Sequence, residues 1–238
     1  MVADLGITVE LGREVGADDL SGFDEVIIAT GVTPRDPQIP GQDRDNVVTY
    51  IDVLRGKVPV GKRVAVIGAG GIGFDVSEYL VHEGTSPTED LPAWMAEWGV
   101  SDPGEHRGGL APEGPQPEPA IRQVTLLQRK AEKPGKRLGK TTGWIHRAAL
   151  QKRHVHMLSG CEYLKIDDAG LHLTINGEQD ILPVDNIIIC AGQTPCRELE
   201  EGLKALGQQP HLIGGADVAA ELDAKRAIDQ GLRLAVTL

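Results

Sequence analysis

Aromatic residues are scarce: three Trp, three Tyr and two Phe in 238 positions. A core must therefore be built from aliphatic and small side chains. The thirty glycines point to many turns and to close, nucleotide-type backbone packing. Cysteine is as sparse. Cys161, Cys190 and Cys196 are odd in number and form no C-x-x-C. A disulfide framework or an iron–sulfur motif within these residues is disfavoured, and a reducing, cytoplasmic setting is the expectation. Basic charge is in deficit, with 35 Asp and Glu against 24 Lys and Arg for a formal charge of −11. That balance argues against nucleic-acid binding, which needs clustered Lys and Arg. No apolar run approaches the roughly 20 residues that span a bilayer, so no transmembrane segment and no membrane partner is expected. Met1–Glu10 carries Asp4 and Glu10 and no basic start, unlike a signal peptide. With 40% apolar and 25% charged residues, the chain reads as a soluble globular protein of one large domain or two small ones.

The strongest motif is Arg63-Val64-Ala65-Val66-Ile67 followed by Gly68-Ala69-Gly70-Gly71-Ile72-Gly73. A short apolar run ends in glycines, and Ile72, Val76, Tyr79 and Leu80 then recur at helical spacing. Strand, tight turn and helix is the context that makes G-x-G-x-x-G a dinucleotide site rather than a chance match. Gly68 permits the turn, Gly70 lets backbone approach a pyrophosphate, and Gly73 lets helix and strand pack closely. The phosphates then meet free N–H groups at the helix N-terminus. The next strand, Gln123–Leu127, ends in Gln128-Arg129-Lys130, with Lys133, Lys136, Arg137 and Lys140 beyond. An NAD site would place Asp or Glu there. Arg129 and Lys130 instead suit a 2′-phosphate and favour NADPH, with a solvated basic run as the bland alternative. Thr141, Thr142, His146 and Arg147 open a helix reaching about Lys152. Their groups suit the nucleotide cleft or simply capping and packing.

Between helix and strand, Glu83–Ala120 holds seven prolines and reads as an irregular insertion with a short helix near Ala93–Trp98. Further on, Leu171–Ile175 alternates, Asn176-Gly177 suits a type I′ turn, and Glu178–Val184 returns, predicting a hairpin.

Asp24–Pro34 and Asp185–Pro195 match at six of eleven positions. Each is a buried strand ending in a small-residue turn, at Thr30-Gly31 and at Ala191-Gly192, where backbone can lie against a nucleotide. The repetition predicts two related units. The second copy has its glycine motif upstream, whereas only 23 residues precede Asp24 and none forms one. The expectation is a chain that begins partway through its first unit. Near the other end, His211–Ile213 reads as a strand. Gly214-Gly215-Ala216-Asp217 follows, and then a helix with Val218, Leu222, Ile228 and Leu232. Gly215 and Asp217 suit a flavin's pyrophosphate and ribityl groups. The alternative is that Asp217 only caps that helix.

Two dinucleotide units, one inserted in the other, resemble the pyridine nucleotide-disulfide reductase architecture. G-A-G-G-I-G-F-D at Gly68–Asp75, L-Q-R-K at Leu127–Lys130, L-G-K-T-T-G-W-I-H-R at Leu138–Arg147 and L-I-G-G-A-D-V-A-A-E-L-D-A-K-R-A-I at Leu212–Ile228 more narrowly resemble the bacterial NADPH-dependent 2,4-dienoyl-CoA reductases of fatty acid β-oxidation. The likeness covers essentially the whole chain. It implies an α/β fold, a Rossmann-like parallel-sheet NADP-binding unit inserted in an incomplete FAD-binding unit. The implied boundaries are residues 1–60 for a partial FAD domain, 61–196 for the NADPH domain with its insertion 83–120, and 197–238 for the return. It also implies an NADPH site on Gly68, Gly70, Gly71, Gly73, Arg129 and Lys130, joined by Gly192 from the repeat. Part of an FAD site falls on Thr30, Gly31, Gly215 and Asp217. FMN, a [4Fe–4S] cluster and the acid acting on a dienoyl thioester are expected only in a preceding barrel, so the chain would serve as electron input. The implied partners are NADPH and the rest of the parent enzyme, with a homodimer as another way to cover exposed apolar faces. Two readings stay open beside it: a related flavoprotein of the amine dehydrogenase or glutamate synthase small-subunit type, and a nucleotide-binding module without activity of its own. No side chain is assigned as a catalytic acid or base, no metal ligand is expected, and His146, His154 and His156 are read as surface or packing residues.

Overall fold

A computed structural model describes residues 3–220 and 222–238. In chain order the strands are β1 (Ile27–Ile28), β2 (Val32–Pro34), β3 (Val47–Thr49), β4 (Arg63–Ile67), β5 (Gln123–Leu127), β6 (His156–Leu158), β7 (Cys161–Asp167), β8 (Gly170–Ile175), β9 (Glu178–Leu182), β10 (Asn186–Ile189), β11 (Gln193–Pro195) and β12 (His211–Leu212). The α-helices are α1 (Tyr50–Leu54), α2 (Gly71–Val81), α3 (Leu91–Trp98), α4 (Gly143–Lys152), α5 (Glu198–Ala205) and α6 (Ala224–Ala235). Among the described residues, no helix is long and apolar enough to cross a membrane.

Two compact units result: Met1–Arg35 with Gln193–Leu238, and Asp36–Gly192. Residues 36–60, grouped with the first unit on sequence, lie in the second, because β3 pairs with β10 there.

The second unit is built on a parallel sheet of order β3-β10-β4-β5-β6. Successive strand residues face opposite sides. On one face Val64, Val66, Val124 and Leu126 pack against Phe74, Val76 and Leu80 of α2 and Leu150 of α4. On the other, Ala65, Ile67, Leu127 and Ile187 pack against Cys161, Ile166, Leu171 and Leu173. Burial on both faces explains why β4 reads as a continuous apolar run. Tyr79, grouped on sequence with the apolar positions of α2, is off its buried face and 50% exposed.

The second face is covered by an antiparallel sheet, β7-β8-β9. Its hairpin turn is as expected: Asn176 and Gly177 both have positive φ, 52° and 92°, as type I′ requires. β7 was not expected. Its charged residues interrupt the apolar pattern, and its register shifts between Tyr163 and Lys165. Helix α4 starts at Gly143, so Lys140–Thr142 precede it.

The insertion is irregular but tied down. α3 begins at Leu91, where Asp90 accepts from the Ala93 N–H at 3.1 Å, and ends at Gly99 in the left-handed region. Glu97 meets Arg153 at 3.3 Å, both largely buried, and the Lys152 ammonium lies 3.7 Å from the Trp98 ring centre.

The first unit holds two short pairings, β1 with β12 in parallel and β2 with β11 antiparallel. The tails of the internal repeat thus pair with each other, and the Thr33 and Thr194 hydroxyls meet at 3.0 Å. Its core is small, with Ile28, Leu203 and Ala216 fully buried. The last helix differs from the sequence expectation. It begins at Ala224, capped by Asp223, which accepts from the Arg226 N–H at 2.8 Å. Val218 and Leu222 precede it, and Asp217 is not its cap.

Phe74 is fully buried against both β4 and β5 neighbours. Phe74→Ala should lower unfolding free energy by about 3–5 kcal/mol. Urea titration followed by circular dichroism checks this.

Candidate functional site

The turn from β4 into α2 is determined by backbone contacts. Gly68 has φ +114°, and a Cβ there would lie 2.3 Å from the carbonyl oxygen of Cys190, the residue just after neighbouring β10. Its N–H donates to the Leu127 carbonyl on β5 at 2.8 Å. Gly73 is tighter still, since a Cβ would stand 1.7 Å from the Gly68 carbonyl oxygen. Gly70 and Gly71 behave differently: a Cβ at either meets nothing within 4 Å. Gly70 is the N-cap of α2 and offers no side-chain cap, so the N–H groups of the first turn are left for another acceptor. The arrangement is a cradle walled by Gly68 and Gly73 and open at Gly70 and Gly71. It can take a phosphate by hydrogen bonds from backbone N–H groups and by the helix dipole.

Sheet order gives this turn its neighbours. β10, β4 and β5 run parallel, so Gly192, the glycine turn and Arg129 with Lys130 all follow strand C-terminal ends at one edge. Gly192 has φ +100°, a left-handed conformation suited to glycine.

The basic run is sorted by one acid. Glu132 pairs with Lys136 at 3.5 Å and with Arg137 at 3.1 Å. Arg129 and Lys130 are exposed and, among the described residues, make no ion pair. The Gln128 amide donates to the carbonyls of Lys130 at 3.0 Å and Glu132 at 2.7 Å, which shapes the loop that presents them. Sequence reasoning missed both Glu132 and Gln128 in these roles. It also missed Tyr163, whose buried hydroxyl has no partner among the described residues. Burial pushes this phenol up, the Cys161 thiol adds to the shift, and the nearby Arg129 charge opposes it.

A second cluster lies in the first unit. A Cβ at Gly215 would meet the Gly31 carbonyl carbon at 3.0 Å, so the two backbones touch. Gly31 has φ +77° with open space beside it. The Thr30 hydroxyl donates to the Cys196 carbonyl at 2.6 Å. Arg197 donates to the Ala216 carbonyl at 2.6 Å and to the Asp217 carbonyl. One oxygen of the Asp217 carboxylate, Oδ2, accepts from Gln230 at 2.7 Å. The structure therefore brings Thr30, Gly31, Gly215 and Asp217 into one local cluster. Of the histidines, His146 lies 3.4 Å from Glu78 and His154 adopts φ +56°. Cys161 and Cys190 are buried, Cys196 is partly exposed, and all three are free thiols. Burial pushes the Cys190 thiol up to about 12.

Residues 6–214 match the family described as pyridine nucleotide-disulphide oxidoreductase. The chain belongs to that family. Its members are oxidoreductases that use FAD and NAD(P)H. The metal reductase of Desulforamulus reducens is 27% identical over 219 residues, covering 90% of this chain and 31% of that protein. Among solved structures, a 2-naphthoyl-CoA reductase complex superposes with a TM-score of 0.75 at 22% identity, over 100% of this chain and 30% of that one. Histamine dehydrogenase from Rhizobium sp. 4-9 gives 0.66 at 19% identity, over 95% of this chain and 32% of that one. At these identities the structures show a shared Rossmann-like fold. The chain spans about a third of the length of these relatives.

The glycine cradle separates two roles of glycine by stability. Gly70→Ala should melt as the unchanged chain does, because its Cβ enters open space. Gly73→Ala must move backbone and should cost about 1–3 kcal/mol or more. Differential scanning calorimetry distinguishes them. Thiol labelling gives a second check. Iodoacetamide should modify Cys196 first in the folded chain, with Cys161 and Cys190 reacting only after denaturation, as read by peptide mass spectrometry.

Proposed function

We propose that this chain is the electron-input portion of a larger NADPH-dependent flavoenzyme of the 2,4-dienoyl-CoA reductase type. NADPH binds at the end of the parallel sheet. Gly68 and Gly73 fix the turn, Gly70 and Gly71 admit the pyrophosphate, and Gly192 lines the neighbouring strand end. Arg129 and Lys130 hold the 2′-phosphate. One observation carries the reading: two cations without acidic partners stand at the end of β5, where an NAD-specific site would place a carboxylate.

The first-unit cluster fits part of a flavin. Close backbone at Gly31 and Gly215 leaves room for a chain of phosphate and ribityl groups, and Asp217 retains one carboxylate oxygen for a hydroxyl. FAD, when bound, supplies the acceptor for the hydride of NADPH. The residues of this chain bind and orient; none has to move a proton, and the redox chemistry belongs to the cofactors.

The reading places FMN, the [4Fe–4S] cluster and the thioester site outside these residues, with the remainder of the parent enzyme as the main partner. Exposed apolar side chains of the first unit, such as Leu11, Phe23, Ile228 and Leu232, suit such a covering or a homodimer. The fold likeness to a 2-naphthoyl-CoA reductase supports a conjugated acyl thioester as the parent's substrate. The likeness to histamine dehydrogenase keeps an amine dehydrogenase type as the second reading. The free cations favour the first, since they serve an enzyme that consumes NADPH.

Calorimetric titration with NADPH and with NADH, with absorbance recorded alongside, tests this. NADPH should bind more tightly, and Arg129→Ala should weaken it by roughly 10–100-fold while sparing NADH, the worth of one charged hydrogen bond. Gly70→Ala should bind neither well while remaining folded. Equal affinity for the two nucleotides would sink the 2′-phosphate assignment. A flavin spectrum bleached by NADPH would support the electron-input role. NADPH binding without flavin would leave only the nucleotide-binding module.

A further inference from the structure

Helix α6 sits on the first unit the wrong way round for a helix held by apolar packing. Its half-buried residues are Arg226, Ala227, Gln230, Gly231 and Leu234, which recur at helical spacing and form its inner face. Leu234 is the one large apolar residue among them. Ile228 and Leu232 are 68% and 65% exposed, and no residue of the helix is fully buried. A surface helix ordinarily turns its apolar stripe to the core. Polar side chains set the position of this one, and Gln230 is the central residue of that face.

Gln230 joins the two ends of one turn. Its Oε1 accepts from the Gly214 N–H at 2.8 Å, and its Nε2 donates to Asp217 Oδ2 at 2.7 Å. The first bond fixes which end of the amide is oxygen, because a backbone N–H only donates. The turn between is held from other sides as well. The Val218 N–H donates to the Gly214 carbonyl at 3.2 Å. Arg197 holds the carbonyls of Ala216 and Asp217, and Arg226 holds that of Val218 at 2.7 Å.

Against this fixed backbone the Asp217 carboxylate is only half used. Oδ2 is taken by Gln230, and Oδ1 has no partner among the described residues. Two cations reach the same turn, yet both guanidinium groups go to carbonyls and neither pairs with the carboxylate. Asp223, not Asp217, caps α6. A neutral amide therefore aims the carboxylate without neutralising it, and the free oxygen keeps its full strength as an acceptor. A hydroxyl that donates to a carboxylate makes a charge-assisted hydrogen bond, and direction decides its quality.

We infer, on the flavin reading of this cluster, that Gln230 is a positioning residue for the flavin. It couples the seating of α6 to the direction of the Asp217 carboxylate, and so presents Oδ1 to a hydroxyl of the ribityl chain.

The test is a double-mutant cycle on FAD affinity, read by the change in flavin fluorescence on titration with the full chain. The four proteins are the unchanged chain, Gln230→Met, Asp217→Ala and the double variant. Met keeps the length and helix propensity of Gln while removing both hydrogen bonds. Gln230→Met should weaken FAD binding about tenfold, the worth of one hydrogen bond to a charged group, and Asp217→Ala by as much or more. The double variant should bind no more weakly than Asp217→Ala, because Gln230 acts through the carboxylate. A residue that merely held the fold together would add its loss to that of Asp217→Ala. Additive losses, or undiminished FAD affinity in Gln230→Met, would overturn the inference and leave the flavin reading standing. No saturable FAD binding by the unchanged chain, or undiminished affinity in Asp217→Ala, would remove the flavin reading of the cluster and this inference with it.

Discussion

The contact between Gly73 and the Gly68 carbonyl is the constraint on which the nucleotide unit depends. It allows α2 to start directly on the end of β4. Gly68 in turn lies against the Cys190 carbonyl, so β10 can hydrogen-bond to β4 up to the turn. One pair of missing Cβ atoms therefore sets helix against strand and strand against strand at the same point. The open side at Gly70 follows from this geometry. A helix that begins so abruptly has no residue to cap it, and its first N–H groups are left for a ligand. Binding capacity here is a by-product of close packing, which is why glycines were more informative than any polar side chain.

Much of this was legible because each element had a local cause. β4 and β5 are short apolar runs buried on both faces, the Asn176-Gly177 turn needs two positive φ values, and the glycine turn needs close approach. What was not legible depended on distant partners. β7 carries Glu162, Lys165 and Asp167 among its apolar residues, and only the parallel sheet beneath it and β8 beside it make it a strand. The start of α6 was misplaced because Val218 and Leu222 continue a helical spacing. The Arg197 and Arg226 guanidinium groups instead hold the carbonyls of residues 216–218, and Asp223 supplies the cap.

The basic run after β5 shows how charge can be read too generously in one dimension. Seven cationic or hydrogen-bonding side chains between Gln128 and Lys140 look like one electropositive patch. Folding spends two of them on Glu132 and turns Gln128 inward onto the loop backbone. Arg129, Lys130, Lys133 and Lys140 make no ion pair among the described residues, and of these Arg129 and Lys130 directly follow β5. A surface pair contributes little to stability, so leaving these cations unpaired costs the fold little. On a chain of net charge −11, an unpaired basic spot also acts as a local attractor for a polyanion.

The insertion obeys the opposite logic. Proline and glycine give it little regular structure, yet it is fastened to α4 by a buried ion pair and by Lys152 over Trp98. Removing two charges from water is costly unless geometry is well held. A decorative loop has no need to bury Glu97 and Arg153. The pair makes sense if the position of α3 matters, since it fixes Trp94 and Trp98 in place. The aromatic scarcity of the chain sharpens the point. Tyr79 and Trp94 stand partly exposed at the insertion, and apart from Phe74 the interior is filled mainly by Val, Ile and Leu. Burying a ring contributes more than burying an aliphatic side chain, so leaving rings partly exposed forgoes stability.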